Sequence, residues 1–129
     1  MLERLIIRNI ALIEHLDFEL GAGLNVLTGE TGAGKSIMLG ALSLILGGRA
    51  DLKAVRDSSK KSVIEAVFDV TGYPALKEYC VAHDIEWDDA VCILRREIAP
   101  AGRSRAFIND SPVTLDLLSH VAMQLVDIH

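Results

Sequence analysis

The chain has 129 residues, half of them hydrophobic and 24% charged, with a formal net charge of −5. That suits one globular domain, residues 1–129, with a core of its own. It argues against a freestanding nucleic-acid binder, which as a rule is basic. The longest mostly apolar run, Ile37 to Leu46, contains Gly40 and Ser43 and falls far short of a membrane span. The N-terminus "MLERLIIRNI" carries Glu3 and Arg8 within its apolar pattern and has no small-residue cleavage site, so it reads as a strand rather than a signal peptide. The expected compartment is the cytoplasm, with no membrane partner.

In chain order, two short apolar runs predict strands over about Leu5–Ile10 and Leu16–Leu20. Residues 21–23, "GAG", turn the chain into a third strand, Leu24–Leu27, which runs into a glycine-rich loop. From Gly34 to Leu46 the residues are apolar almost all round, the mark of a helix buried on most sides, and Gly47 and Gly48 supply residues that tolerate a left-handed cap. Residues 49–62 are polar and aperiodic and read as a loop. Val63–Val70 then alternates, with Ile64, Ala66, Phe68 and Val70 on one face and Glu65 and Asp69 on the other. Pro74 opens a short helix to about His83.

"AVCILRREI" (90–98) predicts a further strand, "APAG" a turn, and "RSRAFIND" the returning hairpin partner. Asn109 and Asp110 both accept positive φ, so a tight turn is expected there. Thr114 can cap a last helix that carries Asp116 in its first turn and an apolar stripe of Leu115, Leu118, Val121 and Leu125. The terminal "LVDIH" reads as the start of another strand, cut off at His129, as expected of a piece of a longer fold. The class is α/β, with more hairpin character than a simple βαβ chain. Cys80 and Cys92 have no metal-like spacing and read as buried or free thiols. His15, His83, His120 and His129 show no ligand spacing either.

"GETGAGKS" fits the phosphate-loop pattern G-x-x-x-x-G-K-S/T through Gly29, Gly34, Lys35 and Ser36. An apolar strand before it and an apolar helix after it are what the mechanism needs. Gly29 permits the sharp exit from the strand, and Gly32 and Gly34 remove side chains where amides must close around oxyanions. The N–H groups of Gly32 to Ser36 would face the β-phosphate at the positive end of a helix. Lys35 adds a movable charge between β- and γ-phosphates, and the Ser36 hydroxyl is the expected Mg²⁺ ligand. The nucleotide-binding set is therefore Gly29, Glu30, Thr31, Gly32, Ala33, Gly34, Lys35, Ser36 and Ile37, for ATP with Mg²⁺. A charge-assisted hydrogen bond is worth about 1.5–3 kcal/mol, so loss of Lys35 should weaken nucleotide binding about tenfold or more.

Phosphate binding is not hydrolysis. A hydrolase of this kind also needs a carboxylate at the end of an apolar strand, near Mg²⁺, and a group that activates water. Asp69 and Asp127 are the two candidates, and neither fits well. Asp69 sits on the polar face of an alternating strand, and Asp127 lacks a long apolar run before it. No catalytic residue is assigned within the chain.

Several stretches, "LIIRNIALIEHLDFELGAGLNVLTGETGAGKSIMLGALSLILGGRA", "LRREIAPAGRSRAFINDSPVTL" and "LVDIH", resemble the N-terminal head lobe of the RecN family of bacterial DNA repair proteins. That family belongs to the structural-maintenance-of-chromosomes (SMC) group of ABC-type ATPases. The resemblance covers nearly the whole chain and is weakest at 72–90. "TGETGAGKS" followed by "GRSRAFIN" is far more specific than a phosphate loop alone. SMC and RecF-like ATPases typically carry Asn-Gly inside the loop, where this chain has Glu30–Thr31–Gly32. Two further departures are Asp110, where the family commonly has Gly after Asn109, and Ile10 in place of a common Phe.

The resemblance implies a P-loop NTPase fold: the N-terminal lobe of a split ABC/SMC-type head, a mixed sheet with antiparallel hairpins around a phosphate-loop helix. It also implies that a coiled coil and a C-terminal lobe complete the head, the latter bringing the signature motif, the Mg²⁺-associated aspartate and the catalytic glutamate. ATP would be sandwiched between two heads of a homodimer. The whole protein would act on DNA double-strand breaks and recombination in the cytoplasm, at the nucleoid. The lobe alone would not hydrolyse ATP. The competing readings are a small, complete phosphotransferase using Asp69 or Asp127, and an interaction module whose loop is only structural.

Among the cations, Arg49 and Arg56 are candidates for nucleotide or DNA contact, against the plainer role of solvated arginines. Lys53, Arg56, Lys60 and Lys61 form the densest basic cluster, partly cancelled by Asp51, Asp57 and Glu65. Arg103 and Arg105 are expected to project from one face of their hairpin strand, with Arg95 on its partner. They would either meet a phosphate or a second head, or pair across the strands with Glu97. Phe107 reads as core, which leaves no aromatic platform for single strands.

Overall fold

The structure, a computed structural model, describes residues 2–10, 13–19, 40–48 and 59–127. Alternation builds its sheet. In β3, Ser62–Asp69, and β4, Val91–Ile98, every second residue is buried, because successive side chains of a strand point to opposite faces. Ser62, Ile64, Ala66 and Phe68 thus share the inner face with Cys92, Leu94, Arg96 and Ile98. Leu5 and Ile7 of β1, Leu2–Ile10, join them, as do Ala106 and Ile108 of β5, Ser104–Ile108. With β2, Ile13–Glu19, and β6, Ser111–Val113, the strands among the described residues form a six-stranded sheet of order β2-β1-β3-β4-β5-β6. Every pairing in it is antiparallel. The expected strand Leu24–Leu27 lies outside the described residues, as does the turn at 21–23.

Helices cover the inner face. Residues 40–45 are helical and bury Ala41 and Ile45. Helix α1, Pro74–Ala82, has Pro at its start and buries Leu76 and Cys80. Helix α2, Leu115–Asp127, buries Leu118, Val121, Ala122 and Leu125, which recur at i, i+3, i+4 and i+7. Its N-terminus is capped as expected: Leu117 N–H donates to Thr114 Oγ1 at 3.1 Å, with Asp116 in the first turn. Tyr79 of α1 stacks on His120 of α2 with ring centroids 4.7 Å apart, so the two helices meet through these rings.

Two expectations are corrected here. Residues 125–127 do not begin a strand. They complete α2, because the helical period that buries Leu118 and Val121 runs on through Leu125. Asp127 is therefore a helix residue, not a carboxylate at a strand end. Phe107 is not core: it alternates with buried Ala106 and Ile108 and is half-buried on the outer face.

Candidate nucleotide site

The residues proposed to bind nucleotide, 29–37, lie outside the described residues, as do Arg49 and Arg56. What the structure describes is how the helical residues 40–45, which follow that stretch in sequence, end and are held. Gly47 takes φ 99. Gly47 N–H donates to Leu44 O at 3.2 Å and Gly48 N–H to Ser43 O at 2.9 Å, which is the paired-bond stop of a Schellman cap. The left-handed cap expected of these glycines is present.

The helix end is then tied to two other elements. Ser119 of α2 donates Oγ–H to Leu46 O at 2.6 Å. Arg96 of β4 donates Nη1–H to Leu44 O at 2.9 Å and also to Gly48 O, and Nη2–H to Ser104 Oγ of β5 at 3.1 Å. Arg96 is only 3% exposed, and its Nε finds no acceptor among the described residues. Burial pulls its pKa below the ordinary arginine value, yet a guanidinium keeps its proton throughout the physiological range. The positive group sits at the end of the helix where the dipole is negative, the favourable arrangement. Neither Arg96 nor Ser119 was singled out among the candidates above. The signal for Arg96 was in "CILRREI", where strict alternation puts it on the face of Cys92, Leu94 and Ile98.

The outer face carries the other cations. Arg95 lies directly across from Phe107, and Glu97 across from Arg105. The Arg95 guanidinium carbon stands 4.4 Å from the Phe107 ring centre and that of Arg105 5.7 Å, so the ring is flanked by two cations. Arg95 Nε is 3.3 Å from Glu97 Oε2, and Nη1 is 3.2 Å from Asp110 Oδ1. Lys61 Nζ reaches the other Glu97 oxygen at 3.4 Å. Glu97 is thus shared by Lys61 and Arg95 rather than ion-paired with Arg105. Both Arg103 and Arg105 are exposed; Arg105 lies on the outer face of β5, and Arg103 lies just before the strand begins.

From the basic cluster, Lys60 and Lys61 line a cleft of about 800 Å³ with Arg8, Asn9, Glu14, His15 and Val63. Asn9 takes φ 58 and gives its side-chain N–H to Lys60 O at 3.0 Å, while Ser62 Oγ–H donates to Asn9 O at 2.7 Å. These bonds fix where the chain re-enters the sheet after the loop.

Asp69 has a local job. Its Oδ1 accepts from Thr71 N–H at 2.9 Å, closing the turn after β3, and that bond holds its carboxyl below the usual carboxylate range. Cys80 and Cys92 are free and fully buried, and burial pushes their thiols up to about 11 and about 12. Among the described residues no group of His, Cys, Asp and Glu could hold a metal ion, and no helix is long and apolar enough to cross a membrane.

An antiparallel sheet with a capped helix, α1 and α2 against one face is the fold of solved SMC head domains. A solved SMC ATPase, studied for ATP-driven dimerization and DNA-stimulated activation, superposes with a TM-score of 0.68 at 18% identity, covering 95% of this chain and 79% of that one. The SMC head domain from Thermotoga maritima gives 0.58 at 15% identity, over 92% of this chain and 41% of its own. The chain belongs to the AAA domain family, whose model matches residues 4–90. It is 42% identical over its whole length to DNA repair protein RecN of Xylella fastidiosa strain Temecula1 and 41% identical to that of Bacillus subtilis strain 168. It spans only 23% and 22% of those two proteins.

Proposed function

We propose that the chain is the ATP-binding lobe of an SMC-like ATPase that serves DNA double-strand break repair and recombination in the cytoplasm, at the nucleoid. One observation carries this reading: whole-length identity above 40% to proteins named DNA repair protein RecN, in a chain that holds an intact phosphate-loop sequence. The donor chemistry of residues 29–37 fits Mg²⁺·ATP, with glycine-rich backbone amides and Lys35 for phosphate oxygens and the Ser36 hydroxyl for the metal. The bound metal neutralises phosphate charge; the chain's own residues bind and orient the nucleotide.

The reaction is completed elsewhere. Asp69 closes a turn and Asp127 lies in a helix, which supports the reading that the missing carboxylate comes from outside this chain. The rest of the machinery comes from a C-terminal lobe of the same protein and from a second head across the nucleotide. DNA is the substrate of the whole assembly. Arg49, Arg56, Arg103, Arg105 and the cleft at Lys60 and Lys61 are the cations available to phosphate of nucleotide or DNA.

The test is a thermal-shift series with Mg²⁺·ATP. Binding at about 100 times Kd should add about 2.7 kcal/mol of stability, and Lys35→Ala should remove that gain. No shift in the unmodified chain at millimolar ATP, or steady ATP turnover by the chain alone, would reject the reading.

A further inference from the structure

We propose that the outer face of the sheet around Phe107 is a platform for single-stranded DNA; this rests on the reading that the chain belongs to an assembly acting on DNA. The strand register lays out rows of side chains across that face. One row runs His15, Arg8, Val63, Glu97 and Arg105 over β2, β1, β3, β4 and β5. The neighbouring row sets Glu65, Arg95 and Phe107 side by side. The first row is basic, because its one carboxylate, Glu97, is held by both Lys61 and Arg95. Arg8, Arg105 and the nearby Arg103 are exposed and make no ion pair among the described residues.

A basic track on a chain of net charge −5 suits a polyanion. Phe107 selects among polyanions. Its ring is half-buried and carries two cations of unequal hold. The Arg95 guanidinium carbon is 4.4 Å from the ring centre and is tied to Glu97 and Asp110. That of Arg105 is 5.7 Å away and has no carboxylate partner. A base that replaces Arg105 over the ring gains stacking, and the released guanidinium meets the adjoining phosphate. In a duplex the faces of each base are covered by its neighbours, so only an unpaired strand can present one. Arg8 on β1 lies three strand spacings from Arg105 on β5, about 14 Å in all. A stacked strand covers that distance with about four nucleotides. At the β1 end the track opens into the cleft that Arg8 lines with Lys60 and Lys61.

The experiment compares the unmodified chain with Phe107→Leu, Phe107→Tyr and Arg105→Gln, each checked for folding by circular dichroism. Fluorescence anisotropy reads the affinity for a labelled oligothymidylate of about 20 nucleotides and for a duplex of the same length, across a salt series. Phe107→Leu keeps apolar bulk and removes the ring; it should weaken single-strand binding about fivefold or more and leave duplex binding within about twofold. Phe107→Tyr should keep the single-strand affinity. Arg105→Gln should weaken it and lower the slope of log affinity against log salt by about 0.7. A folded Phe107→Leu that binds the single strand within about twofold of the unmodified chain overturns the proposal, and so does a duplex bound more tightly than the single strand. If Phe107→Leu does not fold, Arg105→Gln decides: unchanged affinity and slope refute the platform. The thermal shift with Mg²⁺·ATP is read on the same samples. A chain that gains stability with ATP yet binds no oligonucleotide sinks the platform and leaves the ATP-binding reading standing. Binding that depends on Phe107, without an ATP shift, does the reverse.

Discussion

Ser119 Oγ donates a 2.6 Å hydrogen bond to the carbonyl of Leu46, joining α2 to the end of a helix 73 residues earlier in the chain. The same serine limits what can stand at Gly47. A Cβ built there would meet Ser119 Oγ at 3.1 Å, on a backbone already at φ 99. Ser119→Ala should cost about 1 kcal/mol by removing the bond. Gly47→Ala should cost about 1–2 kcal/mol through backbone strain and that contact. In the double variant the Oγ contact is removed while the Cβ contact at 3.2 Å stays, so the two costs should sum to slightly more than the measured total. Urea unfolding of the three variants checks the cycle.

The Asn109–Asp110 turn invites a stabilising change. Both residues have positive φ, 49 and 67, between Ile108 and Ser111, which pair directly. That is a two-residue hairpin turn in which Asn-Gly is the favoured pair. Asn109 pins the turn, with its Oδ1 accepting from Ile93 N–H at 2.8 Å and its Nδ2–H donating to Glu86 O at 2.9 Å. Asp110 contributes only an exposed ion pair to Arg95. Asp110→Gly should therefore raise stability by about 0.5 kcal/mol, while Asn109→Ala lowers it by about 2 kcal/mol. Thermal denaturation separates the signs.

Two phenylalanines test the assignment of faces. Phe68 is 1% exposed in the core, and Phe107 is half-buried on the open face under two arginines. Phe68→Ala should cost about 3–5 kcal/mol. Phe107→Ala should cost about 1 kcal/mol, mostly in lost cation–π and stem contact. Equal losses would contradict the assignment.

The buried thiols predict a loss of stability in alkali. Folding raises the pKa of Cys80 to about 11 and of Cys92 to about 12, from 9.0. Below pH 9 both states keep these protons, and the thiols make stability independent of pH. Above it the unfolded chain ionises first, so stability falls as pH rises toward the folded values. The slope is about 1.4 kcal/mol per pH unit for each thiol that titrates in the unfolded chain alone. Cys80→Ala/Cys92→Ala should flatten that part of the pH profile relative to the unmodified chain. Ellman's reagent should label neither thiol in the native state at neutral pH.

Much of this was legible locally. The alternation of Val63–Val70 placed Ile64, Ala66 and Phe68 on the inner face and Glu65 and Asp69 on the outer, though β3 begins one residue earlier at Ser62; Thr114 announced the cap of α2, and the paired glycines announced a left-handed helix stop. These are short-range facts: the strand period of 2, the helix period of 3.6 and positive φ are properties of a few consecutive residues. Where reading failed, a distant partner decided. Phe107 looked like core until its strand register set it on the face of Arg95 and Arg105. "LVD" looked like a strand until α2 carried its apolar stripe across it.

The sequence by itself determined the alternating strands, the phosphate-loop pattern of residues 29–36 and the membership in the AAA domain family, because each is written in contiguous residues. Only the tertiary structure decided that Arg96 would be buried and that Arg95 beside it would not, and that the helical residues 40–45 would end on Arg96 and Ser119. A buried charge persists only where enough acceptors converge on it. Here those acceptors come from Leu44, Gly48 and Ser104, brought together by the folded sheet and helix and not by any local pattern.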